Sequence, residues 1–166
     1  MAIFGEASST AIAGFILTVV SFLIHFIGFA TPYWTYSSFG EVKSYYGLWL
    51  GCRSVAGTTH CAKLICGDTC PGAFKIAQAM ASLGFIVLLA AVIIVALKMF
   101  VFKDKPILRS IGVSCCFIGG TCALIGTIAY GTIDDVEAKN LNFSFAFCII
   151  AAAGSYLSGC LLIAGK

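Results

Sequence analysis

The sequence predicts an all-α membrane protein: four helices crossing a bilayer within one domain, residues 1–166, with a cysteine-rich loop outside the membrane. Three observations carry this expectation. Of the 166 residues, 60% are hydrophobic and only 10% are charged, with a mean hydropathy of +1.03. Soluble domains carry about 45–50% and about 25%, so the excess apolar surface has to face lipid. Next, no Asp, Glu, Lys or Arg occurs in residues 7–40, 76–97, 110–133 or 140–165. Each stretch exceeds the roughly 20 residues a helix needs to cross the hydrocarbon. Runs this long and unalternating are helices, since only helices and closed barrels span lipid. Finally, four of the nine cysteines crowd into the segment between the first and second stretches.

The expected spans are about 9–31, 76–98, 109–132 and 141–164. In the first, residues 12–30 form the apolar part, closed by Thr31-Pro32. A cleaved signal peptide ending at Gly28-Phe29-Ala30 is the alternative, but its head lacks Lys or Arg and Pro32 would follow the cut closely. Retention is therefore expected. The loop 99–108 and its borders carry Lys98, Lys103, Lys105 and Arg109 against Asp104 alone, and positive loops stay in the cytoplasm. Both termini then lie inside, which suits Lys166, and loops 32–75 and 133–140 lie outside. The second of these holds Asp134, Asp135 and Glu137 against Lys139. The first runs against the charge rule, because Lys43, Arg53, Lys63 and Lys75 outnumber Glu41 and Asp68. Its cysteines decide the matter.

Cys52, Cys61, Cys66 and Cys70 lie in that one loop. Crowded cysteines in a small exposed segment read as disulfides, which require the oxidising side of a membrane. A zinc site with His60 lacks the paired two-residue spacings that zinc modules use, so no metal is expected. Four cysteines allow three connectivities, and the residues alone do not select one. Cys52 joined to Cys61 would close a hairpin through Ala56-Gly57; Cys66 joined to Cys70 would pin a turn at Gly67-Asp68. Before them, Tyr33, Trp34, Tyr36 and Phe39, then Tyr45-Tyr46-Gly47-Leu48-Trp49-Leu50, read as strands of a small antiparallel sheet. Trp34 and Trp49 also suit the aromatic belt at headgroup level.

Trp34, then Gly47-Leu48-Trp49-Leu50-Gly51-Cys52, then Cys61 resemble the W…GLWxxC…C signature of the claudin superfamily, which includes claudins, peripheral myelin and epithelial membrane proteins and channel γ subunits. The likeness is sharp from Thr31 to Cys61, echoes weakly from Phe74 to Met80, and otherwise rests on topology. It implies a left-handed four-helix transmembrane bundle under an extracellular sheet built from the first loop plus one strand of the second. It also implies a Cys52–Cys61 bridge, leaving Cys66 for Cys70, and Trp34, Gly47, Leu48 and Trp49 as the residues that seat the sheet. Cys66 and Cys70 depart from the family's usual pair. In overall size, short loops and an end at Gly165-Lys166 where claudins continue into a scaffold-docking tail, the sequence is expected nearer the myelin and epithelial branch, or an invertebrate claudin-like protein.

Within the spans, Ala151, Ser155 and Gly159, Gly154 and Ser158, and Cys122 with Gly126 recur at the spacing of close helix contacts. Packing within one bundle is the simpler reading, oligomerisation the other. His25 is expected neutral, with Gln78 a candidate partner at similar depth. Cys115, Cys116 and Cys160 lie near the cytoplasmic ends of spans and are palmitoylation candidates. Asn142-Phe143-Ser144 matches a glycosylation acceptor, but sits so close to the bilayer that we expect it bare.

No nucleophile–base set or paired carboxylates are suggested, so we expect no enzyme, no cofactor and no small-molecule substrate. A net charge of +3, scattered, argues against nucleic acid. The expected partners are membrane lipids and other membrane proteins at the plasma membrane. The first functional expectation is a structural protein of cell–cell contact, adhesion or a paracellular barrier, with Glu41, Lys43, Arg53, Lys63 and Asp68 as the charged interaction surface. The alternative is an auxiliary subunit of an ion channel or receptor.

Overall fold

The computed structural model describes residues 8–64, 70–102, 104–134 and 136–165. The first helix, α1 (Ser9–Ala30), starts where the Ser8 hydroxyl accepts from the Ala11 backbone N–H at 3.3 Å, satisfying one of the donors a helix start leaves free. It stops at Thr31-Pro32. Pro32 has no N–H to offer the Gly28 carbonyl one turn back, and Thr31 is already extended, as residues before proline are.

The chain then forms an antiparallel sheet in the order β1 (Thr35–Phe39), β2 (Val42–Tyr46), β3 (Leu50–Val55) and β4 (Thr58–Lys63). Two tight turns fix the register. Gly40-Glu41 joins β1 to β2 with Gly40 at φ +58°, and Ala56-Gly57 joins β3 to β4 with both residues at positive φ. Such angles match the twist of a two-residue hairpin. Among the described residues of loop 133–140, the expected strand does not form. That loop contributes a 3-10 turn (Ala138–Asn140) and a single bridge from Leu141 to Thr35, because so short a connection cannot run along β1 and still reach the fourth helix.

Helices α2 (Gly72–Phe100), α3 (Pro106–Gly131) and α4 (Phe143–Ala164) follow, and all four helices are long and apolar enough to cross a membrane. At 1.5 Å per residue the 29 residues of α2 reach about 44 Å, so Lys75 and Lys98 ride on its ends beyond the roughly 30 Å of hydrocarbon. α1 packs on α4 and α2, and α3 packs on α2 and α4, closing a ring in which α2 with α3 and α1 with α4 are the tightest pairs. Glycine explains the tightness. A methyl at Gly84 would lie 3.1 Å from the Ala123 nitrogen, and one at Gly126 would lie 3.0 Å from the Ala81 nitrogen. Ala151, Ser155, Ser158 and Gly159 are buried inside this single bundle, so their spacing serves packing within the chain. Ile16, Leu23, Ile86, Ile93, Ile118 and Leu157 face outward, toward lipid.

Apart from Nδ1 of His25, which has no hydrogen-bond partner, the buried side-chain polar groups among the described residues are paired, as hydrocarbon demands. Thr18 and Ser158 hydroxyls lie 2.6 Å apart, Ser158 donates to the Gly14 carbonyl and Ser155 to that of Cys116. His25 is fully buried with Nε2 at 3.2 Å from the Ala81 carbonyl. Gln78 is not its partner: that side chain points to the sheet and donates to the Leu48 carbonyl at 2.7 Å. At the end of the bundle away from the sheet, Arg109 on α3 donates to the Leu162 and Ile163 carbonyls, which end α4 without acceptors' partners of their own.

Candidate functional site

The candidate surface is the sheet and its seat on the bundle. Trp34 is fully buried; its indole Nε1 donates to the Gly28 carbonyl at 2.8 Å, and its ring lies 4.8 Å from Tyr130 and 6.0 Å from Phe145. The indole therefore supplies the hydrogen bond that Pro32 withholds. Leu48 is likewise fully buried, and its carbonyl receives Gln78. Between them these two residues bind all four helices. Gly47 is tight for a different reason: a Cβ there would sit 2.6 Å from the Thr31 oxygen and 2.7 Å from the Pro32 Cα. Trp49 is 37% exposed and meets Phe29 edge-on at 5.4 Å, an anchor at the rim rather than a core residue.

Backbone bonds complete the seat. Ser144 and Asn142, at the start of α4, donate to the Tyr33 and Trp34 carbonyls at 3.1 and 2.9 Å, and Trp34 donates to Tyr46. Asn142 accepts from the Phe143 N–H, and Ser144 is buried against the Thr31 hydroxyl at 2.8 Å, so the last residue of the glycosylation triplet is taken up in packing while Asn142 itself is half-buried. Tyr130 was not singled out by its sequence context. It closes α3 and reaches the Thr35 hydroxyl at 3.2 Å, a role set by tertiary placement alone.

Cys52 and Cys61 face each other across β3 and β4 and are bridged, with Cα atoms 4.0 Å apart. Cys70 is disulfide-bonded; Cys66, and with it the Cys66–Cys70 pairing, lies outside the described residues, as does Asp68. The register sorts the remaining charges. Directly opposed residues project on one side of a sheet, so Arg53 shares a face with its opposite, His60, while Lys43 and Lys63 lie on the other face. Glu41 occupies the β1–β2 turn. All four charges are exposed, and among the described residues none is held in an ion pair. On the Arg53 face a cleft of about 460 Å³ opens between the sheet and loop 133–140, lined by Thr35, Tyr46, Leu64, Phe74, Tyr130 and Val136 among others.

Of the palmitoylation candidates, Cys160 is exposed and Cys115 half-buried, but Cys116 is fully buried. Its thiol packs 4.0 Å from the Thr18 hydroxyl and has no path to an acyl donor, so Cys116 drops out.

Four helices long and apolar enough to cross a membrane, with a disulfide-braced sheet seated on one end of their bundle, define a tetraspan membrane protein. The model of the PMP-22/EMP/MP20/Claudin family matches residues 8–164, and the chain belongs to that family. Among individually curated proteins none matches it.

Proposed function

We propose that the chain is a cell-contact protein of the plasma membrane, binding by surface rather than catalysing a reaction. The sheet lies outside the cell, with the Lys98–Arg109 loop and both termini in the cytoplasm. Its partners are membrane proteins, on the same or the opposed membrane. The observation that carries this reading is the sheet itself: a rigid platform, locked to all four helices, that holds Glu41, Lys43, Arg53 and Lys63 in solvent. The basic loop at the other end of the bundle supports the orientation, and so does a disulfide at the sheet end. A cysteine placed at Asp104 should escape an impermeant label on intact cells.

Charges within roughly 8 Å of a narrow passage act on ions at physiological salt without being screened away. Lys63 is an open position on β4, so Lys63→Glu should leave the fold intact. Expressed in a barrier-forming cell layer, this variant should shift permeability toward cations over anions. Unchanged resistance and ion preference, with the protein at cell contacts, would sink the barrier reading. The cleft beside the sheet favours a second reading, an auxiliary subunit whose larger partner fills it; copurification of a channel or receptor in mild detergent would support that. Cys115 and Cys160 are the proposed acylation sites.

A further inference from the structure

The cleft between the sheet and loop 133–140 has an apolar floor and a charged mouth. Its volume of about 460 Å³ lies within the roughly 300–1,000 Å³ of small-molecule sites. Phe74, Ile133 and Val136 line it on one side and pack on the Trp34–Tyr130 core with the other, so the floor is set by the end of the bundle. The Thr35 and Tyr130 hydroxyls in the floor lie 3.2 Å apart and satisfy each other. The one buried side-chain polar atom without a partner among the described residues is Nδ1 of His25, which does not line the cleft. The floor therefore asks for no hydrogen bond and suits hydrocarbon. Its depth fits that reading. Phe74 is in the first turn of α2, beside Lys75, and Tyr130 in the last turn of α3, so the cleft opens at headgroup level, where membrane amphiphiles collect.

The mouth selects the head of such a molecule. Ser37, which lines the cleft, opposes Ser44, and Ser44 opposes Arg53. Arg53 therefore stands on the cleft face, in the same row as Ser37 and two strands away, about 10 Å at 4.8 Å per strand. A guanidinium on its long stem spans most of that gap. Arg53 and Lys75 are exposed, Asp134 is exposed on the loop wall, and Glu137 is held by Lys139. Among the described residues the unpaired charges around the cleft are thus two cations against one anion, an excess that favours an anionic head.

We propose that the cleft holds a lysophospholipid from the leaflet at the sheet end, its single acyl chain on the Phe74–Tyr130–Val136 floor and its phosphate on Arg53. The planar donor fork of arginine matches a phosphate. A diacyl lipid would have to send one tail up into the cleft and the other down into the bilayer, whereas a single chain leaves none behind. Burial of the tail supplies most of the affinity, because the charge contact is open to solvent and worth little. The inference goes beyond the contact reading above and does not depend on it.

The test places the full chain in phosphatidylcholine nanodiscs with lysophosphatidic acid that carries a photoreactive group at the end of its acyl chain. Crosslinks are then mapped by peptide mass spectrometry. They should concentrate on the peptides holding Phe74 and Val136 rather than spread over the outward-facing Ile86, Ile93 and Leu157. Val136→Trp fills the cleft and should abolish the labelling there. Arg53→Gln should lower it roughly five-fold, the reach of an exposed charge pair, and Arg53→Lys should keep most of it. Mapping of the Cys52–Cys61 bridge in each variant checks the fold. Unlabelled lysophosphatidic acid should compete, and inorganic phosphate at the same concentration should not. Competition by inorganic phosphate would place binding in the charges alone and remove the tail from the cleft. A monoacylglycerol competing as well as lysophosphatidic acid, or Arg53→Gln labelled like wild type, would overturn the phosphate contact. Labelling spread evenly over the lipid-facing residues, or unchanged by Val136→Trp, would overturn the site itself.

Discussion

Replacing Trp34 by phenylalanine separates packing from hydrogen bonding at the joint between sheet and bundle. The ring is fully buried between Tyr130 and Phe145, and its Nε1 serves the Gly28 carbonyl at 2.8 Å. Phenylalanine keeps most of the apolar ring but removes the donor. Pro32 cannot replace it, so the carbonyl is orphaned in a buried site at a cost of about 1–3 kcal/mol. Alanine removes the ring as well and leaves a cavity, for about 3–5 kcal/mol in total. Thermal unfolding in mild detergent, read by a thiol-reactive dye, measures both. Cys116 and Cys148 are fully buried free thiols that react only when the bundle opens, once Cys115 and Cys160 have been blocked. The expected order of melting is wild type, then Trp34→Phe, then Trp34→Ala, with phenylalanine accounting for roughly half of the loss. Trp34→Phe melting with wild type would refute the claim that Pro32 leaves Gly28 in need of a side-chain donor. Equal losses for the two variants would refute the packing half.

Gly47→Ala should loosen the sheet, because the new methyl meets backbone at 2.6 and 2.7 Å; overpacking of this kind costs about 1–3 kcal/mol, seen as faster proteolysis between Trp34 and Lys63. The double change Cys52→Ser with Cys61→Ser should cost about 2–3 kcal/mol for so short a loop, and reductant should then have no further effect on that hairpin's melting. Arg109→Met removes two charged donors from the last carbonyls of α4, worth about 1.5–3 kcal/mol each at most. Hydrogen exchange should rise over the last turn of α4 and stay unchanged at the sheet.

The membrane helices were legible because lipid imposes one blunt rule, the absence of charge over a long stretch. The same rule is blind to where a helix ends in water. It placed α2 at about 76–98, whereas the helix runs from Gly72 to Phe100 with Lys75 and Lys98 extending their stems past the hydrocarbon. The bridge of Cys52 to Cys61 was legible only through the family resemblance, because Ala56-Gly57 allows a turn but does not choose among three cysteine connectivities. What could not be read were contacts set by tertiary placement. Gln78 and His25 looked equivalent in depth, but only the packing of α1 against α2 decides that one faces Ala81 and the other Leu48. Cys115 and Cys116 are neighbours in sequence and one helical step apart, about 100°, in space; that step turns one toward the edge and the other into the core. The sorting of Arg53 from Lys43 and Lys63 likewise needed the observed register, since a slip of one residue would exchange the faces.

The sheet is bound to the helices as an extension of their ends rather than as an appended module. A helix end leaves carbonyls or N–H groups without partners. Here the Gly28 carbonyl near the end of α1 is satisfied by Trp34, and the N–H of Ser144 at the start of α4 by Tyr33. The Gln78 side chain near the start of α2 and the Tyr130 hydroxyl at the end of α3 are engaged by Leu48 and Thr35. Any displacement of the sheet would therefore expose or orphan polar groups on each helix at the membrane surface, where they are costly. Four polar attachments, one to each helix, tie the sheet to the bundle end, so the exposed charges of the sheet are positioned by the helices themselves.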